Sequence, residues 1–483
     1  MTGAIAERLA RSPAVRACRE ALGSAPGAWI VGGATRDAAL GREVTDVDLV
    51  VARGEREAAR SIARVTGGAM FQLSGEFATW RTLGPGGAWH VDVVRLRGAR
   101  IEDDLGQRDF TVNAIAIPVA DLNAAPIDPH SGLADLRARR LAAVSERSFA
   151  DDPLRVLRAA RIAAGLALEI EPRAVELARA EAPRTAQEAG ERQFAELRML
   201  LTGPDPVRGL SLLDALGATA EVLPELEALR GVEQNPYHHL DVHGHTIEVI
   251  DRLTQLERDL GGALGDAADA VREVLAEPLA DGLDRAGALR LAALVHDLGK
   301  PETRTVGKGG RILFLGHDRS GVRIVRELCR RLRTSRRLSD YLANLTLNHL
   351  RLGFLVHERP VSRRRVYEYL RATEPDSVDV TLLTVADRLA TQGERTRREA
   401  IDAHLELARE MIGDALAWRR GGSPRAPIRG DELASRLGIE PGPELGRLLA
   451  EIEAGVFAGQ VSTADEAVAL ARELVHRSES AGA

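Results

Sequence analysis

The chain has 483 residues, 45% of them hydrophobic and 28% charged, with a formal net charge of −6. That length exceeds one hydrophobic core and points to about three domains, while the composition excludes a mainly disordered or fibrous protein and the negative balance argues against indiscriminate coating of nucleic acid. No run of eighteen uncharged apolar residues occurs, so no membrane span is expected, and the two cysteines, Cys18 and Cys329, are too few for a disulfide framework or a thiolate zinc site, which fits a reducing cytoplasm.

In chain order, MTGAIAERLARSPAVRACREAL spreads charge through the place where a secretory signal needs an apolar run and predicts an amphipathic helix. GAWIVGG predicts a strand entering a glycine pair, TRDAALG a short helix, DVDLVV a second strand, HVDVVRL a third and TVNAIAI a fourth. From about residue 145 the periodicity is helical almost without break, in LRVLRAARIAAGLAL, AVELARAEA, QFAELRMLL and LRLAALVHDLGK. Residues 259–289, rich in Ala and Asp, predict a helical insertion. Boundaries near 126–136, 227–239 and 420–430 divide the chain into an α/β head (1–140), a helical neck (141–228), a second helical domain (229–420) and a small helical tail (421–483).

The head carries the most informative chemistry. Asp46 and Asp48 flank Val47 in a strand, so alternation puts both carboxylates on one face. Two such oxygen ligands suit Mg²⁺, and paired ions can activate an attacking hydroxyl and neutralise a leaving pyrophosphate. Gly32 and Gly33, at a strand-to-helix turn, let backbone N–H groups approach a triphosphate, and Arg36 can add a charge-assisted contact. Asp92, isolated in HVDVVRL, is the candidate third carboxylate. A bare DxD is most often a solvated turn and a glycine pair most often a cap; their ordered combination is much harder to explain that way.

GGATRDAALGREVTDVDLV resembles the signature motif of class II tRNA nucleotidyltransferases and bacterial poly(A) polymerases, members of the DNA polymerase β-like superfamily. QRDFTVNAIAI is similar to that family's second motif, with Arg108, Asp109 and Asn113 at matching positions. IDPHSGLADL is similar to its head-to-neck motif, DDPLRVLRAARIA to its nucleotide-selecting motif and GERQFAELRMLL to its neck motif. Gln107 stands where a second arginine is usual, and Asp151 where a Glu is usual. The resemblance implies a small mixed-sheet catalytic head followed by an all-α neck, body and tail.

It also implies that Asp152 and Arg155 read a Watson–Crick edge. A carboxylate accepts from the amino groups of cytosine and adenine and repels the carbonyls of uracil and guanine, while an arginine beside it donates to the ring. Three residues apart, the pair would share a helix face, which Arg158 and Arg161 continue. Base-edge readout of this kind discriminates by about 1–3 kcal/mol per bidentate contact. Acid followed by base along a helix is also an ordinary dipole arrangement, so the neighbouring motifs carry this assignment. Full CCA-adding relatives have a long flexible segment between the third-carboxylate strand and the second motif; only residues 98–107 stand there in this chain, and a missing segment is associated in the family with CC addition and a separate A-adding enzyme.

Of the 12 histidines, seven lie from His238 to His349. His245, the His296-Asp297 doublet and Asp387, drawn from separate helices, can bind a transition metal or Mg²⁺, and LVHDLGKP resembles the HD phosphohydrolase superfamily. That resemblance implies His245, His296, Asp297 and Asp387 as ligands, His317 and His349 as holders of a second ion or of phosphate, and Lys300 as a phosphate contact, in metal-assisted hydrolysis of a phosphate ester. Alternatively the domain holds tRNA, since 15 arginines stand against 5 acidic residues from Arg311 to Arg371. The tail segment GIEPGPELGRLL reads equally as an RNA-backbone contact or as plain helix capping.

Together these features predict an Mg²⁺-dependent enzyme that adds CC, or CCA, to tRNA 3′ ends from CTP and ATP without a template. The same chemistry would serve a poly(A) polymerase. From other classes, an HD phosphohydrolase with a nucleotide-sensing head and a non-catalytic tRNA-binding protein are the competing readings.

Overall fold

Val47 and Leu49 leave their strand on one side, Asp46, Asp48 and Val50 on the other, so a single stretch can be half core and half chemistry. The computed structural model, which describes residues 2–23, 26–74 and 79–481, builds the head around this strand. Strands β1 (Ala28–Val31), β2 (Asp46–Val51), β3 (Met70–Ser74), β4 (Thr79–Leu83), β5 (His90–Arg95) and β6 (Ala116–Pro118) form one sheet in the order β3-β4-β5-β2-β1-β6. The β2–β5 pair is parallel and the other four are antiparallel. Helices α1 (Thr2–Arg11), α2 (Pro13–Leu22), α3 (Gly33–Ala39) and α4 (Glu55–Thr66) contribute to the core on one face, where Leu9, Val15, Cys18 and Ile62 are buried with Val47, Leu49, Val91 and Val93. Each such side chain contributes about 1.5–3 kcal/mol by leaving water, which holds the sheet firmly beneath its polar face.

The expected helix after the glycine pair and the strands at DVDLVV and HVDVVRL are present. TVNAIAI is only partly a strand: Thr111–Asn113 forms a 3₁₀ turn before β6. Strands β3 and β4 had no counterpart in the sequence reading. Met70 packs against the core while Phe71 and Leu73 are exposed, so apolar residues on both sides of β3 erase the alternation that marks a strand.

Contacts divide the chain into two units, residues 1–222 and 223–483. In the first, helix Arg155–Leu166 packs against Gly190–Leu201 and Pro206–Ala215. The second is built on helices Val242–Arg258, Arg285–Val295, His317–Arg331, Arg336–Asn348, Ser377–Ala390 and Arg398–Gly421. The stretch predicted as a helical insertion is helical to Leu275 and again from Arg285; between them Pro278–Ala280 and Leu283–Asp284 form a hairpin whose turn holds Asp281 and Gly282 at positive φ. Another short hairpin pairs Arg304–Val306 with Ile312–Phe314. The tail helices have their own core around Leu433, Leu448, Ile452 and Val468, and Phe457 meets Tyr367 and Trp418 edge to face or tilted. Among the described residues no helix is long and apolar enough to cross a membrane.

Candidate active site and metal centre

Parallel pairing of β2 with β5 sets Asp46 beside His90 and Asp48 beside Asp92. Side chains of paired residues leave a sheet on the same side, so the three candidate carboxylates share the polar face, as alternation predicts. His90 Nδ1 lies 2.7 Å from Asp46 Oδ1, and this hydrogen bond raises the imidazole pKa. Arg81 of β4 grips Asp92 with two parallel hydrogen bonds, both 2.7 Å. Asp48 is open to the cleft, but the protein walls around it strip away much of its hydration and push its pKa up; Arg108 opposes this and the Asp92 charge adds to it.

Gly32 lets the β1–α3 turn lie against the carboxylates. Its φ is +69°, and a Cβ there would stand 2.6 Å from Asp48 Oδ2 and 3.1 Å from Arg108 Nη1. This space, beside an all-oxygen donor set whose charges repel one another, fits a hard divalent cation.

A cleft of about 290 Å³ opens from this point, lined by Gly32, Gly33, Arg36, Asp48, Arg108, Asp109, Asn113, Asp152, Arg155, Arg158 and Arg161, with Arg97 and Ile162. It gathers every residue expected to bind nucleotide. Asp46 and Asp92 lie on the sheet face but do not line it. Within the cleft the charges are tied into a network. Asp109 accepts from the Phe110 backbone N–H (2.7 Å), Asn113 (3.0 Å) and Arg158 (3.4 Å). Burial alone would raise its pKa, but Arg158, Asn113 and the Phe110 amide outweigh that and hold it below the usual range. Arg36 donates to Asn113 and Asp37, and Glu196 receives both Arg158 (3.2 Å) and Arg161 (2.6 Å).

The helix-face argument for Asp152 and Arg155 needs correction. Asp152 is extended (φ −150°, ψ 99°) and precedes the helix that begins at Arg155; both still line the cleft. Pro153 explains the break, since the residue before a proline is driven out of the helical region. Asp152 accepts from Arg192 at 3.0 and 3.2 Å, and Arg155 donates to the carbonyls of Gln107, Arg108 and Ser148.

Residues 98–107 contain helix α5 (Ile101–Leu105), with Ile101 and Leu105 in a core cluster beside Val31, Val50 and Ala114. Asp104 is fully buried. One of its oxygens takes the Arg97 backbone N–H (3.3 Å) and Nε (2.9 Å), the other Arg108 Nε (3.2 Å) and Nη2 (3.1 Å). Burial raises its pKa, but the two arginines outweigh this and hold it low.

In the second unit, buried Asp297 is the hub. His296 Nε2 is 3.1 Å and His245 Nε2 3.8 Å from its Oδ2, while His317 and His349 Nε2 are 3.4 and 3.7 Å from its Oδ1. The Nδ1 atoms of His296, His317 and His349 meet the carbonyls of Ala293, Phe314 and Thr346 at 2.8, 2.7 and 2.7 Å. Backbone acceptors there fix Nδ1 as the protonated nitrogen and turn the Nε2 lone pairs inward. His296 Nε2 and Asp297 Oδ1 are buried without a hydrogen-bond partner, a costly condition unless they serve a ligand. The residues thus fit a metal ion, in the groups His245–His296–Asp297 and Asp297–His317–His349. Asp387 stands outside both groups, 3.0 Å from His245 Nε2, and Lys300 is engaged with Asp297 (2.6 Å) and Gln234 (2.7 Å).

The Poly A polymerase head domain family matches residues 28–142, the probable RNA- and SrmB-binding site of polymerase A residues 167–229, and the HD domain residues 242–392. The A-adding tRNA nucleotidyltransferase of Deinococcus radiodurans is 34% identical over 92% of this chain and 94% of its own. The CC-adding tRNA nucleotidyltransferase of Thermus thermophilus is 33% identical over 91% of this chain and 92% of its own. The chain belongs to the tRNA nucleotidyltransferase family. The fold is also that of the Thermotoga maritima CCA-adding enzyme complexed with tRNA, at a TM-score of 0.60, 20% identity and 98% coverage of both chains.

In this tRNA nucleotidyltransferase, sequence reasoning missed Arg81, His90, Arg97, Asp104, Arg192 and Glu196. A strand carboxylate paired with an unrecognised strand gives no signal for Arg81, whereas Arg192 and Glu196 stood within the quoted neck motif. The arginine-rich stretch proves less basic than its count. Arg323 pairs with Glu302, Arg331 with Glu225, Arg359 with Glu406 and Arg363 with Asp414. The neutralising acids come from outside the counted window.

Proposed function

We propose that this chain transfers CMP from CTP to the 3′ end of tRNA, twice, and stops before the terminal A. The observation that carries the reading is the cleft itself, in which Gly32 and Asp48 stand beside the base-reading residues Asp152 and Arg155. Mg²⁺ held by Asp46 and Asp48 would supply charge neutralisation for the triphosphate and activation of the 3′-hydroxyl. Arg36, Arg108 and the backbone at Gly32 and Gly33 bind the phosphates, and the extended Asp152 accepts from cytosine N4. Asp92 orients the hydroxyl: Arg81 takes one site on each carboxylate oxygen, and each keeps a further lone pair for a proton.

The choice of CC follows from the pinned segment. A pocket that admits cytosine first and adenine last needs a movable wall, and Asp104 ties this wall to Arg97 and Arg108. A separate enzyme then adds the A. Sustained ATP use by a poly(A) polymerase would need the same missing movement. The second unit supports a further reading, a metal-dependent phosphohydrolase, on its inward-facing Nε2 atoms and the unpartnered Asp297 Oδ1.

Labelled CTP, ATP and UTP, each offered with tRNA lacking its last three nucleotides, test the proposal. CTP alone is incorporated, and Asp48→Asn lowers this by about 10³-fold or more, since a lost ion site removes several kcal/mol of transition-state stabilisation. ATP incorporation at a rate equal to that of CTP contradicts it.

A further inference from the structure

The polar face of the sheet continues past the carboxylates. Register carries the row from Val31 through Asp48 and Asp92 to Arg81 and then Phe71 of β3. Paired residues leave the sheet on one side, and with strands about 4.8 Å apart Phe71 lies about 10 Å from Asp92 along that row. The reverse side of β3 and β4 is occupied by core, with Met70 and Trp80 packed into the apolar cluster. Phe71 is 43% exposed, and β3 is an edge strand of the sheet. A bare phenyl ring on an edge strand is a hazard that folding alone does not explain.

Resting on the reading of the chain as a tRNA nucleotidyltransferase, we propose that Phe71 is the platform on which the 3′-terminal base of the RNA strand stacks while its ribose hydroxyl meets Asp92. The topology separates the two reactants. The nucleotide cleft opens on the β1–β6 side of Asp48, where Gly32, Arg108 and Asn113 lie, and Phe71 stands on the opposite, β5–β4–β3 side. The carboxylates lie between, which is where a hydroxyl from one side must meet a phosphate from the other. About 10 Å from Asp92 is within reach of a base whose own ribose is at the carboxylates. Stacking on an aromatic ring tolerates every base, as a strand end that changes with each addition requires.

Steady-state kinetics of Phe71→Ala and Phe71→Trp test this with two RNA substrates, one ending in a normal nucleotide and one in an abasic nucleotide. Phe71→Ala raises the KM for normal RNA about tenfold, leaves the KM for CTP within about twofold, and is restored by Phe71→Trp; the wild type suffers a similar loss on abasic RNA, which Phe71→Ala does not deepen. A wild-type enzyme indifferent to the terminal base overturns the platform whatever the variants do. So does a Phe71→Ala enzyme that binds RNA normally, or one that only dissociates a dimer in sedimentation, which would assign the ring to a second copy of the chain. A wild type that transfers CMP to neither RNA sinks the functional reading itself instead.

Discussion

Gly32 is the residue at which backbone and chemistry constrain each other most tightly. Its positive φ disfavours any side chain, and its missing Cβ is the space that Asp48 Oδ2 occupies. Gly32→Ala therefore moves the carboxylate while leaving the core untouched. Expected are a loss of CTP incorporation of about 10²-fold or more and a stability cost of about 1–3 kcal/mol, measured by kinetics and thermal melting; unchanged kcat with unchanged KM would contradict this account of the turn. Gly32, Asp46 and Asp48 were legible in the sequence because spacing alone fixes their relation. Arg81 and His90 were not, because their meaning depends on which strand lies alongside.

Among the elements, α5 does the most with the fewest residues. The short span 98–107 was readable as missing length; that it is a packed helix fastened by a buried carboxylate was not, since Asp104 sits among neighbouring acids in IEDDL. With its folded pKa held below the unfolded value of about 3.9, Asp104 contributes stability above that pH and loses the contribution as pH falls through the folded pKa. Asp104→Asn should cost about 3 kcal/mol, as loss of one partner from a buried pair does, and should make stability less acid-sensitive in that window. It should also raise the KM for CTP and narrow the preference for CTP over ATP. Denaturation at several pH values with paired CTP and ATP kinetics checks both, and an unchanged preference would separate α5 from specificity. The strand β3 was hidden for the opposite reason: its exposed Phe71 and Leu73 imitate core residues.

At the scale of the whole molecule, two candidate sites occupy two units. The head was readable because its motifs are contiguous, and the His296-Asp297 doublet was readable for the same reason. The inward set of the Nε2 atoms was not, since it depends on backbone carbonyls at Ala293, Phe314 and Thr346. His317→Ala should lower bound transition metal by elemental analysis and reduce metal-dependent phosphodiesterase turnover, while CTP incorporation persists; joint loss of both activities would contradict their separation. The most direct test of the central claim remains the product. tRNA lacking its last three nucleotides, incubated with CTP and ATP together, is sequenced at its 3′ ends. Ends reading CC, converted to CCA only when an A-adding enzyme is supplied, are the predicted result; efficient CCA ends from this chain alone would contradict it.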